Sequence, residues 1–209
     1  DKLFLLTGSS VWAVAGSQGP LAPDAVDAHV AVPVGAEWPV PLVLASTILW
    51  VRDKGTGVRS MVFDFQNSGY KSSDLSVASE HLFRGYTIKD WCWAEDPWSV
   101  AWVVRSDGAL LSLTYSPDDG VWAWAQHQVK GPDGENAVVH SICSIAEGDE
   151  DAVYIAIDPP GDETEALILR FTTRIEVDGA KTPACLDSCI KNWTDVSGDD
   201  APSLTVTPG

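Results

Sequence analysis

Apolar and polar residues alternate with a period of two along most of the chain. Trp91 and Trp93 flank Cys92; Val100, Trp102 and Val104 interleave with Ala101 and Val103; Leu111, Leu113 and Tyr115 interleave with Ser112 and Thr114. Successive side chains of a strand point to opposite faces, so this pattern predicts strands with one face committed to a core. Trp122 and Trp124 about Ala123 continue it. The breaks carry turn chemistry, as in Ser106-Asp107-Gly108, Asp118-Asp119-Gly120, Gly131-Pro132-Asp133-Gly134 and Asp158-Pro159-Pro160-Gly161-Asp162.

Laid out as strands, the chain repeats. Ile48–Arg52, Val100–Arg105 and Ala152–Ala156 share one pattern, and their aromatic centres Trp50, Trp102 and Tyr154 are spaced by 52 residues both times. A turn and a second apolar strand follow each of them. Residues 87–129 hold four strands within about the length of one propeller blade (roughly 40–50 residues). The expected fold is all-β, with antiparallel blade-like repeats forming a partial or open β-propeller. Its region spans residues 1–177, with blades at about 1–66, 87–129 and 137–174. Leu3–Leu6 with Val11–Val14 supplies the start of a fourth. A sandwich of the same strands is the alternative. One stretch departs from the period: Leu75, Ala78 and Leu82 predict a short helix near 74–83, with Asp74 or Ser73 as its N-cap and Gly85 beyond its end. From Asp178 the alternation weakens, and 178–209 reads as an exit segment into a further domain.

Charge changes the picture. The 209 residues include thirty acidic and thirteen basic ones, for a net charge of −17. Such a surface repels phosphate and argues against specific nucleic-acid binding. No apolar run nears the roughly 20 residues of a membrane helix. The chain opens without Met on an apolar strand, which points to a processed chain or a piece of a longer one.

Ten tryptophans, six of them between Trp91 and Trp124, fit spaces between sheets better than a sugar platform. Cys92 and Cys143 sit in alternating runs as small hydrophobes, and Cys185 with Cys189 lacks a second pair of metal spacing. His29, His81, His127 and His140 belong to no hydrolase or metalloprotease signature. The residues thus name no catalytic, metal or cofactor set, and the chain reads as a non-enzyme.

Several runs together resemble a family. Phe63-Asp64-Phe65-Gln66-Asn67-Ser68-Gly69-Tyr70, then Asp74-Leu75-Ser76, then Glu80-His81-Leu82-Phe83-Arg84-Gly85 are similar to a signature of tail nozzle and tail-tubular structural proteins of short-tailed bacteriophages and prophages. Glu95–Val100, Val104-Arg105-Ser106-Asp107-Gly108-Ala109-Leu110 and Val121–His127 continue the likeness, which covers roughly residues 1–175. Members of that family are much longer chains. The resemblance implies a virion component that assembles in a ring with copies of itself and with neighbouring tail proteins. DNA would pass it without specific binding. No cofactor and no catalytic set carry over, and Asp74, Leu75, Glu80, His81, Leu82, Phe83, Arg105, Asp107 and Gly108 read as structural. Acidic turns then gain a role on a channel wall, where Lys or Arg would hold DNA by releasing counterions. The candidates are Asp118 and Asp119, then Glu147, Asp149, Glu150 and Asp151, then Asp158, Asp162 and Glu163. The alternative is a β-propeller module that binds or degrades a carbohydrate or a host receptor.

Overall fold

The computed structural model describes residues 2–17, 21–22, 25–130, 135–158 and 166–172, and the backbone of 190–192. Among them everything regular is strand, save two short 3-10 segments at Asp53–Gly55 and Val77–Leu82. The chain divides into two compact units, Asp1–Ile88 and Lys89–Gly209.

In the first unit, β1 (Leu3–Leu6), β2 (Val11–Gly16) and β3 (Val26–Val32) form a three-stranded sheet. There, β4 (Leu42–Leu44), β5 (Thr47–Val51), β6 (Val58–Asp64) and β7 (Gly69–Asp74) form a four-stranded one. The second unit holds two more four-stranded sheets. One is β8 (Ile88–Ala94, its first residue closing the first unit), β9 (Val100–Arg105), β10 (Leu110–Ser116) and β11 (Val121–His127). The other is β12 (Val138–Glu147), β13 (Glu150–Asp158), β14 (Leu167–Phe171) and β15 (Ile190–Asn192). All four sheets are antiparallel meanders in which strands pair in chain order. The fold is therefore all-β, in blade-like sheets.

Alternation places the cores. In the first unit Phe4, Leu6, Val11 and Val32 meet Ile48, Trp50, Met61 and Tyr70. In the second, Val100, Trp102, Val104 and Leu110 meet Val139, Ile142, Val153, Ile155 and Ile157. β9 is buried along its whole length, on both faces, which is why Val-Ala-Trp-Val-Val-Arg carries no exposed polar position.

Two expectations need correction, and a third gains detail. The 1–66 stretch is not one blade; it holds the whole first sheet and most of the second. The short helix expected near 74–83 is present as a six-residue 3-10 helix, Val77–Leu82, with non-helical angles at Ser79. Asp74 ends β7 and is not the N-cap, which is Ser76: its Oδ1 accepts Ser76 N–H at 2.9 Å, and its Oδ2 takes Arg52 at 3.3 Å and Arg59 at 3.7 Å. Finally, residues 190–192 of the supposed exit segment pair with β14 as a fourth strand, while the rest of 178–209 lies outside the described residues.

One contact recurs. The β1–β2 hairpin docks on the chain ahead of β4, where Ala36 N–H donates to Thr7 O at 2.8 Å and Gly35 lies against Gly8. The β5–β6 turn places Gly55 against Thr87, next to the first residue of β8. The β9–β10 turn places Gly108 against Val138, and Val139 N–H donates to Gly108 O at 3.0 Å. Gly55 and Gly108 both hold positive φ, +70° and +82°, which together with the close approach leaves room only for glycine.

Candidate functional site

Trp50, Trp102 and Tyr154 lie on β5, β9 and β13, the second strand of three successive four-stranded sheets. They share that address but not a facing. Trp50 packs toward the sheet before it, among Val11, Val32 and Met61, and its Nε1 donates to Gly35 O at 3.2 Å. Trp102 packs toward the sheet after it, its ring edge-on to Phe171 at 4.9 Å and tilted on His127 at 5.1 Å. The 52-residue spacing preserves strand order, but β5 and β9 stand one residue out of step, and one residue turns a side chain to the other face.

Tyr154 points away from the Ile155 face. Its hydroxyl donates to Glu147 at 2.5 Å, beside Arg170, whose guanidinium takes both Glu147 and Glu150 at 2.9 Å.

The signature residues form turns and joints. Asp64 accepts Gln66 N–H at 2.9 Å and Asn67 Nδ2 at 2.6 Å, which closes the Phe65–Ser68 turn and leaves Phe65 86% exposed. Phe63 and Tyr70 stack edge-on beneath the Lys2 ammonium. Leu75 and Phe83 are buried, Glu80 and His81 are exposed, and Leu82 is half-buried. Glu80 contributes its carbonyl, which accepts from Phe83 and Arg84 N–H. Arg105 pairs with Asp107 at 2.6 Å across the tight turn that Gly108 closes.

The acidic residues gather at one end of the second unit. Tyr115 N–H donates to Ser99 O, and Asp151 N–H to Asp96 O, so the β8–β9 loop lies beside both the β10–β11 and the β12–β13 hairpins. Glu95, Asp96, Asp118, Asp119, Asp149 and Asp151 share this end, and none of the three loops contains Lys or Arg. Asp118, Asp119 and Asp149 are exposed. Two candidates differ from expectation: Glu150 is buried against Arg170, and Asp151 accepts Glu95 N–H at 2.7 Å and Asp96 N–H at 3.3 Å. Both are spent on joints inside the unit. Asp158 pairs with His140, and Asp162 and Glu163 lie outside the described residues.

Two of the tryptophans that the sequence places by preference between sheets stand beside the acids instead. Trp98 in the β8–β9 loop and Trp122 at the start of β11 are each half-exposed at this same end, whereas Trp91 is buried and Trp93 and Trp124 are partly so. The signal was available: Trp98 follows Asp96-Pro97 in a turn, and Trp122 is one residue from a hairpin.

The histidines enter no such site. Ser112 Oγ and His127 Nε2 are 2.7 Å apart, but Ser112 is buried on the face that packs on the last sheet. Cys92 is buried and Cys143 exposed. Among the described residues no group of three His, Cys, Asp or Glu could hold a metal ion, and no helix is long and apolar enough to cross a membrane.

Two of these joints titrate. The hydrogen bond from Arg105 holds Asp107 below the ordinary 3.8, and those from Tyr154 and Arg170 hold Glu147 below 4.5. A carboxylate depressed in the folded state stabilises it above the unfolded pKa and loses that contribution as pH falls through the folded one. Urea midpoints should therefore be flat above about pH 5 and drop on acidification below about pH 4. Tyr154→Phe should flatten that drop. An unchanged acid limb in the variant would show that the Tyr154–Glu147 bond contributes nothing.

No protein-family model matches the chain, and no curated protein matches it in sequence.

Proposed function

We propose that this chain is a structural part of a short-tailed phage tail of the nozzle or tail-tube type, built from propeller-like blades, with its acidic end turned to the DNA passage. One observation carries the charge half of this reading. Three loops of the second unit converge at one end with six acidic residues and no basic one. A polyanion moving past Asp118, Asp119 and Asp149 meets repulsion, and the nearby Arg170 is already held by Glu147 and Glu150 instead of being offered to phosphate. The identity half rests on the sequence likeness described above. Its motif residues are occupied in turns and ion pairs, as a scaffold role requires.

The test is DNA ejection by particles in which Asp118 and Asp119 are both changed to Lys. Slower or incomplete ejection that high salt restores is the expected result. Ejection at the parental rate, or these loops on the outer wall of the assembled tail, would defeat the proposal.

A second reading has an observation of its own. Trp98 and Trp122, half-exposed beside carboxylates, are a combination that can stack and hydrogen-bond a sugar ring. Binding on a glycan array that is lost in Trp122→Ala would favour a carbohydrate-binding module over the tail component.

A further inference from the structure

We infer that the open edge of β1 is an acceptor for one additional β-strand, which completes the first sheet to four. This stands on sheet geometry alone and is independent of the tail reading. The recurring hairpin contact carries it. In the second and third sheets, the hairpin that docks at or just before the first strand that follows joins the second and third strands: β5–β6 on Thr87, β9–β10 on Val138 and Val139. In the first sheet the hairpin making that contact joins β1 and β2, which dock on Gly35 and Ala36. By this measure β1 and β2 are second and third strands, and β3 is the fourth. The place of the first strand lies along the free side of β1.

Among the described residues no strand pairs with that side. Leu3-Phe4-Leu5-Leu6 carries no charge, proline or bulge, the devices by which exposed edges avoid pairing. Alternate backbone N–H and C=O groups of an edge strand point outward without a ladder partner. Leu3 and Leu5 are 48% and 47% exposed on one face, beside Trp12 and Val30. A neighbouring strand would cover those two side chains as well as pair the backbone.

The occupant is a single extended peptide of about four residues, apolar on both faces, added by strand pairing. β8, the first strand of the third sheet, gives its chemistry. β8 buries Ile88, Cys92 and Ala94 on one face and Trp91 on the other. A second copy of the chain is the wrong shape for the place. Pairing β1 with its own copy would run two sheets into one of six strands, whereas among the described residues β4, β8 and β12 each end their sheets.

The probe is a synthetic peptide copying Thr87–Ala94 with Cys92→Ala, titrated into the whole chain while amide exchange is followed by mass spectrometry. Exchange over residues 2–6 should slow on the order of tenfold, with residues 110–127 unaffected. Leu5→Lys should abolish the effect while leaving the exchange of β2 and β3 as it was, and Leu21→Lys, also exposed, should not. Two results would overturn the inference. One is exchange at 2–6 that saturating peptide leaves unchanged. The other is slow exchange there without peptide in a chain that sediments as a dimer, which would assign the edge to a second copy.

Discussion

Replacing Trp50 by Ala is expected to cost the first unit about 3–5 kcal/mol. The ring is 0% exposed and stands where Val11 and Val32 of one sheet meet Met61 of the next, so no surface side chain can relax into the hole. Trp102→Ala should fall in the same range in the second unit, where its ring meets Phe171 and His127. The phenylalanine variants separate the two sites. Trp102 Nε1 is buried and makes no hydrogen bond, so Trp102→Phe loses ring volume only. Trp50 Nε1 donates to Gly35 O, so Trp50→Phe also strands a buried carbonyl, a further penalty of about 1–3 kcal/mol. Denaturant unfolding followed by probes local to each unit would measure all four. If Trp50→Phe were no costlier than Trp102→Phe, the Gly35 bond would be of no energetic account.

The same two tryptophans mark how far the sequence could be read. Alternation reveals a strand when one face is more deeply buried than the other, and β13 was legible for that reason, whereas β9 and β10 were legible as apolar runs between turn signals. Some outer strands, β7 among them, were not. β7 reads Gly-Tyr-Lys-Ser-Ser-Asp with hardly an apolar residue, because the last strand of a meander has a neighbour on one side only. With β7 unseen, the apolar residues after it at 75, 78 and 82 fell into a helical spacing. In the structure Leu75 is buried against the sheet, whereas Ala78 is exposed. β3 was lost in the same way, and with it the boundary between the first two sheets. Burial on both faces hides information too. In β9 every residue is apolar or paired, so nothing in Val-Ala-Trp-Val-Val-Arg tells which neighbour Trp102 faces.

The acidic end was only half legible. Composition named the carboxylates, but exposed acids and buried ones look alike in a sequence. Only the partner distinguishes Asp149 in its turn from Glu150 on Arg170 one residue later. Trp98 and Trp122 went unread because a tryptophan signals burial by default.

Gly35→Ala should be the most damaging of the glycine substitutions, although Gly35 is not among the positive-φ glycines. A Cβ built there lies 2.2 Å from Gly8 O, 2.4 Å from Gly8 C and 2.7 Å from Ser9 N, all of them backbone atoms. No rotamer change can relieve that, so the β1–β2 hairpin has to move as a body. Moving it pulls Thr7 O from Ala36 N–H, and shifting Gly35 instead strains the bond to Trp50. Overpacking of this kind costs about 1–3 kcal/mol, and each hydrogen bond lost adds about 1. Gly8→Ala is the internal control, since a Cβ on the other partner of the same contact meets nothing within 4 Å. It should be neutral or slightly stabilising, because alanine lowers the entropy of the unfolded chain. Gly120→Ala calibrates backbone strain alone: its φ is +66° with open space around it, for a cost of about 1 kcal/mol. The expected order of urea midpoints is Gly8→Ala highest, then Gly120→Ala, then Gly35→Ala. Should Gly35→Ala unfold with Gly8→Ala, the hairpin would be free to yield, and the contact at Gly35 would not set how the two sheets of the first unit pack.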